Sequence, residues 1–357
     1  MPANAPMHQE QRQYSSQPIL RRNGYATDVV GVRSKDTGEI FTTNFNVRFT
    51  GRSGKFEARG DTVDVLLDDR VRFTMEIGDG GKAQFPSGKL APDPEVLGNV
   101  TSLLDELGPH KLKFEHRYTA NGEYRLNYVE ALFWLWDSSD SIVVSDIDGT
   151  ITRSDVGGMI NGVLGARMGW KKGHAHPGVC FLYNHLIDET NAHIMYLTAR
   201  PLNLINDTRS YIYELEQPVS SSSMTMRQLP PGPIITDTTN LTSSFRREVV
   251  DRSSHVFKTE MLSQLRDCFT NAGRDIRRYP VFLATFGNKD TDAVAYRAVG
   301  APPVTIFIIG TDSRVQVADE FRERWTNYSD PRLVKVIMER IDLIKSGRLP
   351  DPNLPID

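Results

Sequence analysis

Residues 141–150 read SIVVSDIDGT and place two carboxylates, Asp146 and Asp148, one residue apart behind an apolar run. In extended chain a spacing of two puts both side chains on one side. Like charges so close are tolerable when a cation lies between or beside them. Oxygen ligands with no neighbouring Cys or His favour a hard ion, Mg²⁺ first. The plain alternative is a helix cap at Asp146 and a turn at Asp148-Gly149. Three further places, read as strand ends, carry matching chemistry. In YLTAR, the Thr198 hydroxyl and the neighbouring backbone N–H of Ala199 could bind a phosphoryl oxygen. VFKTEML offers Lys258, a point charge able to offset a phosphoryl group. TFGNKDTDA offers Asn288 and, four residues later, Asp292. Taken singly, Thr198 reads as a helix cap, Lys258 as a solvated lysine and Asn288 as a turn residue. All of them coinciding in this order, at strand ends, would be improbable by chance.

Such residues need elements to hold them. From Ile142 the chain alternates strand, loop and helix: SIVVSD, HIMYLT, PVFLATF and VTIFIIG are short runs apolar enough for buried parallel strands. Helical spacing lies between them, at Leu204, Ile205, Thr208, Tyr211, Ile212 and Leu215, and at Phe257, Met261, Leu262, Leu265 and Phe269. This rhythm predicts a doubly wound α/β domain, whose ligands bind beyond the carboxyl ends of the strands. Before it, from Tyr25 to about Phe85, DVVGVRS, TTNFNVRFT, GDTVDVLLDD and VRFTMEIG are Val-, Phe- and Thr-rich segments parted by Gly-bearing turns. Their spacing suggests a β-sandwich. A Pro-rich loop or linker follows. The stretch HKLKFEHRYTANGEYRLNYVEALFWLW then adds two strand-like runs around a turn at Asn121-Gly122. The first of these could return to the early sandwich.

Composition narrows the function classes. Apolar residues at 39%, charged residues at 24% and a net charge of −3 describe an ordinary globular chain with no global bias toward nucleic acid. Only Cys180 and Cys268 occur, which argues against a disulfide framework and for a reducing compartment. No run approaches the roughly 20 apolar residues of a membrane span. The Gln- and Pro-rich start has no apolar core of a signal peptide, so membrane contact is expected to be peripheral.

DIDGT, LTAR, the later lysine and GNKDTD resemble the four motifs of the haloacid dehalogenase superfamily of phosphohydrolases. FWLWDSSDSIVVSDIDGTITRSD, LTARPLNLINDTRSYI, SSFRREVVDRSSHVFKTEML and FLATFGNKDTDAVAYRAVG are similar to blocks of the lipin family of Mg²⁺-dependent phosphatidate phosphatases. The segment from Asp28 to Phe85 resembles that family's amino-terminal region, so the resemblance covers most of residues 25–325.

The resemblance implies a fold: a Rossmann-like haloacid dehalogenase catalytic domain over residues 136–330, plus an immunoglobulin-like all-β sandwich split between residues 25–90 and 111–135. Residues 1–24 would be a flexible tail, 91–110 a linker, and 331–357 a C-terminal helix and tail. It also implies roles. Asp146 would be the nucleophile and Asp148 the acid and base, with Mg²⁺ on the Asp146 carboxylate, the Asp148 carbonyl and Asn288. Thr198, Ala199 and Lys258 would hold the phosphoryl group, and Asp292 would orient the metal's surroundings. The substrate would be phosphatidic acid, met by reversible binding at a membrane surface from the cytoplasm, at the endoplasmic reticulum or nuclear envelope. Arg21, Arg22, Lys171 and Lys172 are candidates to assist its capture. The chain departs from its relatives at VGGMI, where some carry a coregulator motif, and residues 1–24 lack an amphipathic face. Trp134 and Trp136 are read as core rather than as a membrane contact. Two rival readings are a phosphatase of a soluble phosphomonoester and an inactive scaffold that binds phospholipid headgroups.

Overall fold

A computed structural model of the chain describes residues 18–50, 59–92, 106–153, 175–219, 224–238, 247–318 and 324–348, with Leu97 and Leu104 between them. The VGGMI stretch, Lys171 and Lys172 lie outside the described residues.

Among the described residues up to Asp137, strands predominate. They are β1 (Ile19–Arg22), β2 (Gly24–Ala26), β3 (Val29–Arg33), β4 (Ile40–Thr42), β5 (Val47–Phe49), β6 (Thr62–Leu67), β7 (Arg70–Ile77), β8 (Ala83–Gln84), β9 (Gly108–Ala120) and β10 (Glu123–Asp137). One sheet runs β4-β3-β10-β9-β6-β7-β8, and β2 pairs with β5 beside it. The long β9–β10 hairpin is at its centre. Asn121 and Gly122 both take positive φ at its tip, 53° and 77°, which is the backbone that a two-residue hairpin turn requires. β10 pairs in parallel with β3, and β9 pairs antiparallel with β6. Residues 108–137 are therefore enclosed on both sides by strands from before residue 70.

The expected tail at residues 1–24 contains a described strand. β1 pairs in parallel with β10, from Ile19 opposite Arg125 to Arg22 opposite Tyr128. β3 covers β10 only from Phe133 onward, and β1 takes up backbone groups of the stretch before it. All four β1 side chains stay exposed, so no apolar alternation announces the strand.

Alternation along β10 sends Phe133 and Leu135 into a core with Phe45 and Phe114. Trp134 and Trp136 point to the other face and join Val30, Val32, Phe257, Met261 and Leu265 in a second core. Both indoles are buried, so the FWLW stretch is interior and not a membrane contact.

The second sheet comprises β11 (Ile142–Asp146), β12 (His193–Pro201), β15 (Ile234–Asp237), β16 (Phe282–Gly287), β17 (Ile306–Ile309), β18 (Val315–Val317) and β19 (Arg324–Trp325). β13 (Glu216–Pro218) and β14 (Met226–Gln228) form a separate small hairpin. The sheet order is β15-β12-β11-β16-β17-β18-β19, parallel from β15 to β17 and antiparallel at the far end. β11 is central and wholly buried because both of its faces are covered. Val143 joins a core with helices Val179–Thr190 and Pro331–Lys345, whereas Ile142 and Val144 join the core of helix Arg247–Asn271. The expected α/β rhythm is thus present. The C-terminal helix is part of it, burying Leu333, Ile337, Ile341 and Ile344 in the same core as Val143. Among the described residues no helix is long and apolar enough to cross a membrane.

Candidate active site

β11 ends at Asp146, opposite Leu197 of β12, which runs on to Pro201, while β16 on its other side ends at Gly287. After Asp146 the chain turns sharply. The N–H groups of Thr150, Ile151 and Thr152 all reach the Ile147 carbonyl, and Gly149 takes a φ of +82°. Asp148 therefore lies in a turn and not in extended chain, so the spacing-of-two argument does not hold for it. The turn brings the two carboxylates to the same site by a different route, and each acquires its own partners.

Asp146 Oδ1 accepts from Lys258 Nζ at 2.6 Å, and Oδ2 accepts from the Thr150 hydroxyl at 3.1 Å. Lys258 Nζ donates equally to Asp292 Oδ1, also at 2.6 Å. The three side chains are at most 4% exposed. Burial pushes the Asp146 carboxyl up to about 7; Lys258 opposes the rise, and the charges of Asp292 and Asp148 add to it. Burial alone would lower Lys258, but its two carboxylates outweigh that and hold it above the ordinary lysine value. Asp292 Oδ2 accepts the backbone N–H groups of Asn288 and Lys289 at 3.0 and 3.1 Å, fixing the loop after β16.

Asp148 faces a different cation. Arg200 Nε lies 2.8 and 3.0 Å from its two oxygens, and Arg200 Nη2 also donates to Oδ1. The Thr198 hydroxyl donates to Asp148 Oδ2 at 3.0 Å and accepts the Arg200 backbone N–H at 3.2 Å. Both residues sit on β12, which continues to Pro201, so Thr198 is a strand residue and not a helix cap. Ala199 follows it, half-buried, where the pairing of β12 with β15 slips register between Thr198 and Pro201.

Asp146, Asp148, Thr198, Lys258, Asn288 and Asp292 therefore share one site. Lys258 reaches it from the middle of helix Arg247–Asn271 and not from a strand end. Its neighbours Phe257, Met261 and Leu265 follow helical spacing into the core, which leaves the lysine to point at the carboxylates. Sequence reasoning missed Arg200. The signal was present in LTAR, where only the threonine and alanine were read as ligands.

The turn is braced from behind. Gly149 N–H donates to Thr152 Oγ1 at 3.0 Å, and its carbonyl accepts from His176 Nε2 at 3.2 Å. His176 Nδ1 accepts from the Ser313 hydroxyl at 2.8 Å, and burial pushes this imidazole down to about 4, so it is neutral at pH 7. Tyr328 OH donates to the Thr150 carbonyl at 3.1 Å.

The fit of a metal ion turns on Asn288. One end of its carboxamide lies 3.2 Å from the Asp148 carbonyl oxygen and 3.3 Å from Asp292 Oδ2. With nitrogen at that end it donates to both. With oxygen there, acceptor oxygens converge, an arrangement that a hard cation stabilises. Three carboxylates (Asp146, Asp148 and Asp292) against two cationic groups (Lys258 and Arg200) leave one excess negative charge to accommodate it. Gly149 is what lets Asn288 come so close, because a Cβ there would lie 2.0 Å from its amide nitrogen. Among the described residues no three His, Cys, Asp or Glu side chains form a metal cluster. A site here would therefore combine a carboxylate, a backbone carbonyl and a carboxamide, and the residues present fit one.

The profile of the LNS2 (Lipin/Ned1/Smp2) family matches residues 98–337. Phosphatidic acid phosphohydrolase 1 of Saccharomyces cerevisiae is 37% identical over 188 residues, which is 52% of this chain and 20% of that protein. Phosphatidate phosphatase LPIN2 of Mus musculus is 35% identical over 176 residues, 49% of this chain and 18% of that protein. Nuclear elongation and deformation protein 1 of Schizosaccharomyces pombe is 36% identical over 187 residues, 52% of this chain and 26% of that protein. The match thus spans about a quarter or less of the length of these relatives.

Proposed function

The chain belongs to the Lipin/Ned1/Smp2 family, and on that premise we propose that it is a Mg²⁺-dependent phosphatase releasing phosphate and diacylglycerol from phosphatidic acid. The observation that carries the reading is the division of labour between the two aspartates: Asp146 faces a buried lysine, and Asp148 faces an arginine and a hydroxyl. The names of the relatives support the substrate.

In this reading an Asp146 oxygen attacks phosphorus in line with the leaving alkoxide. The O–P bond to Asp146 forms as the bond to the diacylglycerol oxygen breaks, and Asp148, which must first take up a proton from solvent, hands it to that oxygen. Asp148 then takes a proton from water as the water oxygen attacks the aspartyl-phosphate, returning Asp146 as a carboxylate and releasing phosphate. Lys258 and Thr150 hold Asp146 so that its attacking lone pair has a fixed direction. Arg200 and Thr198 hold Asp148 over the leaving group, and Arg200 is placed to shift a donor onto the phosphoryl group when it arrives. Asp146, the Asp148 carbonyl and Asn288 would hold Mg²⁺, which when bound offsets the charge between an anionic nucleophile and an anionic substrate. Asp292 fixes Lys258 and the Asn288 loop rather than touching substrate.

The same reading treats residues 25–90 and 111–135 as one immunoglobulin-like sandwich packed on a haloacid dehalogenase-like domain over residues 136–330. The enclosure of the β9–β10 hairpin between β3 and β6 supports it. Membrane engagement is read as peripheral and reversible, from the cytoplasmic side. Arg21 and Arg22, exposed on β1, are candidates to meet anionic lipid.

Phosphate release from phosphatidate in mixed micelles is the test, run with Mg²⁺, with excess EDTA, and with Asp146→Asn. Turnover should require Mg²⁺ and fall by orders of magnitude in the variant. Equal rates in EDTA would remove the metal from the mechanism, and near-normal rates in Asp146→Asn would remove the nucleophile.

A further inference from the structure

A metal ligand that is a backbone carbonyl cannot be aimed by a rotamer. It is aimed by its peptide plane, and within one trans peptide the C=O and the following N–H point in opposite directions. The Asp148 carbonyl shares its plane with the Gly149 N–H. That N–H donates to Thr152 Oγ1 at 3.0 Å, on the side away from Asn288. The Asp148 oxygen is thereby turned toward the Asn288 carboxamide, 3.2 Å away. Thr152 is itself fixed, because its backbone N–H reaches the Ile147 carbonyl at 3.1 Å and it bridges Ala175 in antiparallel fashion. The next plane is fixed as well, since the Gly149 carbonyl is held by His176, whose own N–H donates to Ile151. Gly149 at φ +82° is a residue with little intrinsic preference between conformations, so these bonds decide which way its two planes face.

From this geometry we infer that Thr152 is a positioning residue for the metal: its hydroxyl holds the Asp148–Gly149 peptide in the orientation that presents the Asp148 carbonyl as a ligand. Thr152 is buried, and besides accepting the Gly149 N–H its hydroxyl donates to the Ile147 carbonyl at 3.4 Å, a bond that serine would keep and valine would remove together with the first. The inference rests on the Mg²⁺ site proposed above. Partners of this kind, one step removed from the ligand, typically change metal affinity by 10- to 100-fold.

The test is Mg²⁺ binding to the full chain without substrate, by isothermal titration calorimetry. Thr152→Val keeps the shape and removes the acceptor; its Mg²⁺ dissociation constant should rise about tenfold. Thr152→Ser keeps the hydroxyl and should stay within about twofold of the parent. Thr152→Cys, a small residue with a weak acceptor, should fall between them and replaces the valine variant if that one does not fold. Thermal melts in EDTA separate loss of affinity from loss of fold. If the parent binds no Mg²⁺, the proposed metal site itself fails. If the parent binds and the valine or cysteine variant binds equally well, or serine weakens binding as much as they do, Thr152 does not aim the carbonyl.

Discussion

Asp28 joins the two halves of the molecule, and replacing it by alanine should show how far they depend on each other. Its side chain has no exposed surface. Oδ1 accepts the Leu132 N–H from β10 at 2.9 Å and Arg209 Nη2, from helix Ile205–Glu214, at 2.7 Å. Oδ2 accepts the Ile234 N–H from β15 at 2.9 Å. One carboxylate thus binds the first sheet, the edge strand of the second sheet, and the helix that follows Thr198 and Arg200. Breaking a buried ion pair from one side costs about 3–5 kcal/mol, because the remaining charge loses its partner. The two orphaned N–H groups would each add about 1–3 kcal/mol if they stayed dry. Water entering the vacated space offsets part of this, so Asp28→Ala should cost about 4 kcal/mol, a large share of a typical 5–15 kcal/mol stability. Equilibrium denaturation in urea, followed by tryptophan fluorescence, measures it; Trp134 and Trp136 lie in the core between the sheets and Trp325 in the second sheet. A second arm is the cycle with Arg209→Met, in which the double variant should be less damaged than the sum of the singles. A loss under 1 kcal/mol for Asp28→Ala, or strict additivity in the cycle, would refute the clamp.

Lys258→Met should destabilise the chain in EDTA by about 3–5 kcal/mol, since it leaves Asp146 and Asp292 facing each other in a buried site. Adding Asp292→Asn should recover part of that loss, and a double variant no more stable than Lys258→Met would contradict the assigned charge balance. His176 predicts a pH effect whose sign follows from its lowered value. The unfolded chain takes up a proton below about 6.5 while the folded, buried imidazole stays neutral to about 4. This contribution is complete above about pH 6.5 and is lost as pH falls toward 4, a difference of roughly 3 kcal/mol at most. His176→Gln, which can still donate to the Gly149 carbonyl, should flatten the stability slope in that window; an unchanged slope assigns it to other groups.

Parts of this structure were legible in the sequence wherever the information was local. Asn121-Gly122 marks a hairpin because both positions need positive φ. SIVVSD marks a buried strand because each face of β11 meets a core. Most of the motif residues gathered because strands with a common direction end on a common edge, and Lys258 joins them from the middle of a helix. What was not legible depends on pairs distant in sequence. Nothing near Asp28 announces Ile234 or Arg209, 206 and 181 residues away. His176 and Ser313, 137 residues apart, become partners only once the turn after Asp146 exists. β1 is invisible for a different reason: ILRR buries nothing, and its formation is due to backbone groups on β10.

Lys258 shows how the two kinds of information combine. Its helix lies between the sheets, with Phe257, Met261 and Leu265 in the same core as Val30, Val32, Trp134 and Trp136 of the first sheet and Ile142 and Val144 of the second. The all-β part therefore forms one wall of the compartment that aims the lysine at Asp146, and Asp28 ties that part to the helix behind Thr198 and Arg200. A cation held at a carboxylate by a single flexible side chain would lose about 2 kcal/mol of rotamer entropy on ordering. Here the ordering is done by apolar packing one residue and one turn away. That gives the strands of the first sheet a physical task at a site that lies at the edge of the other sheet.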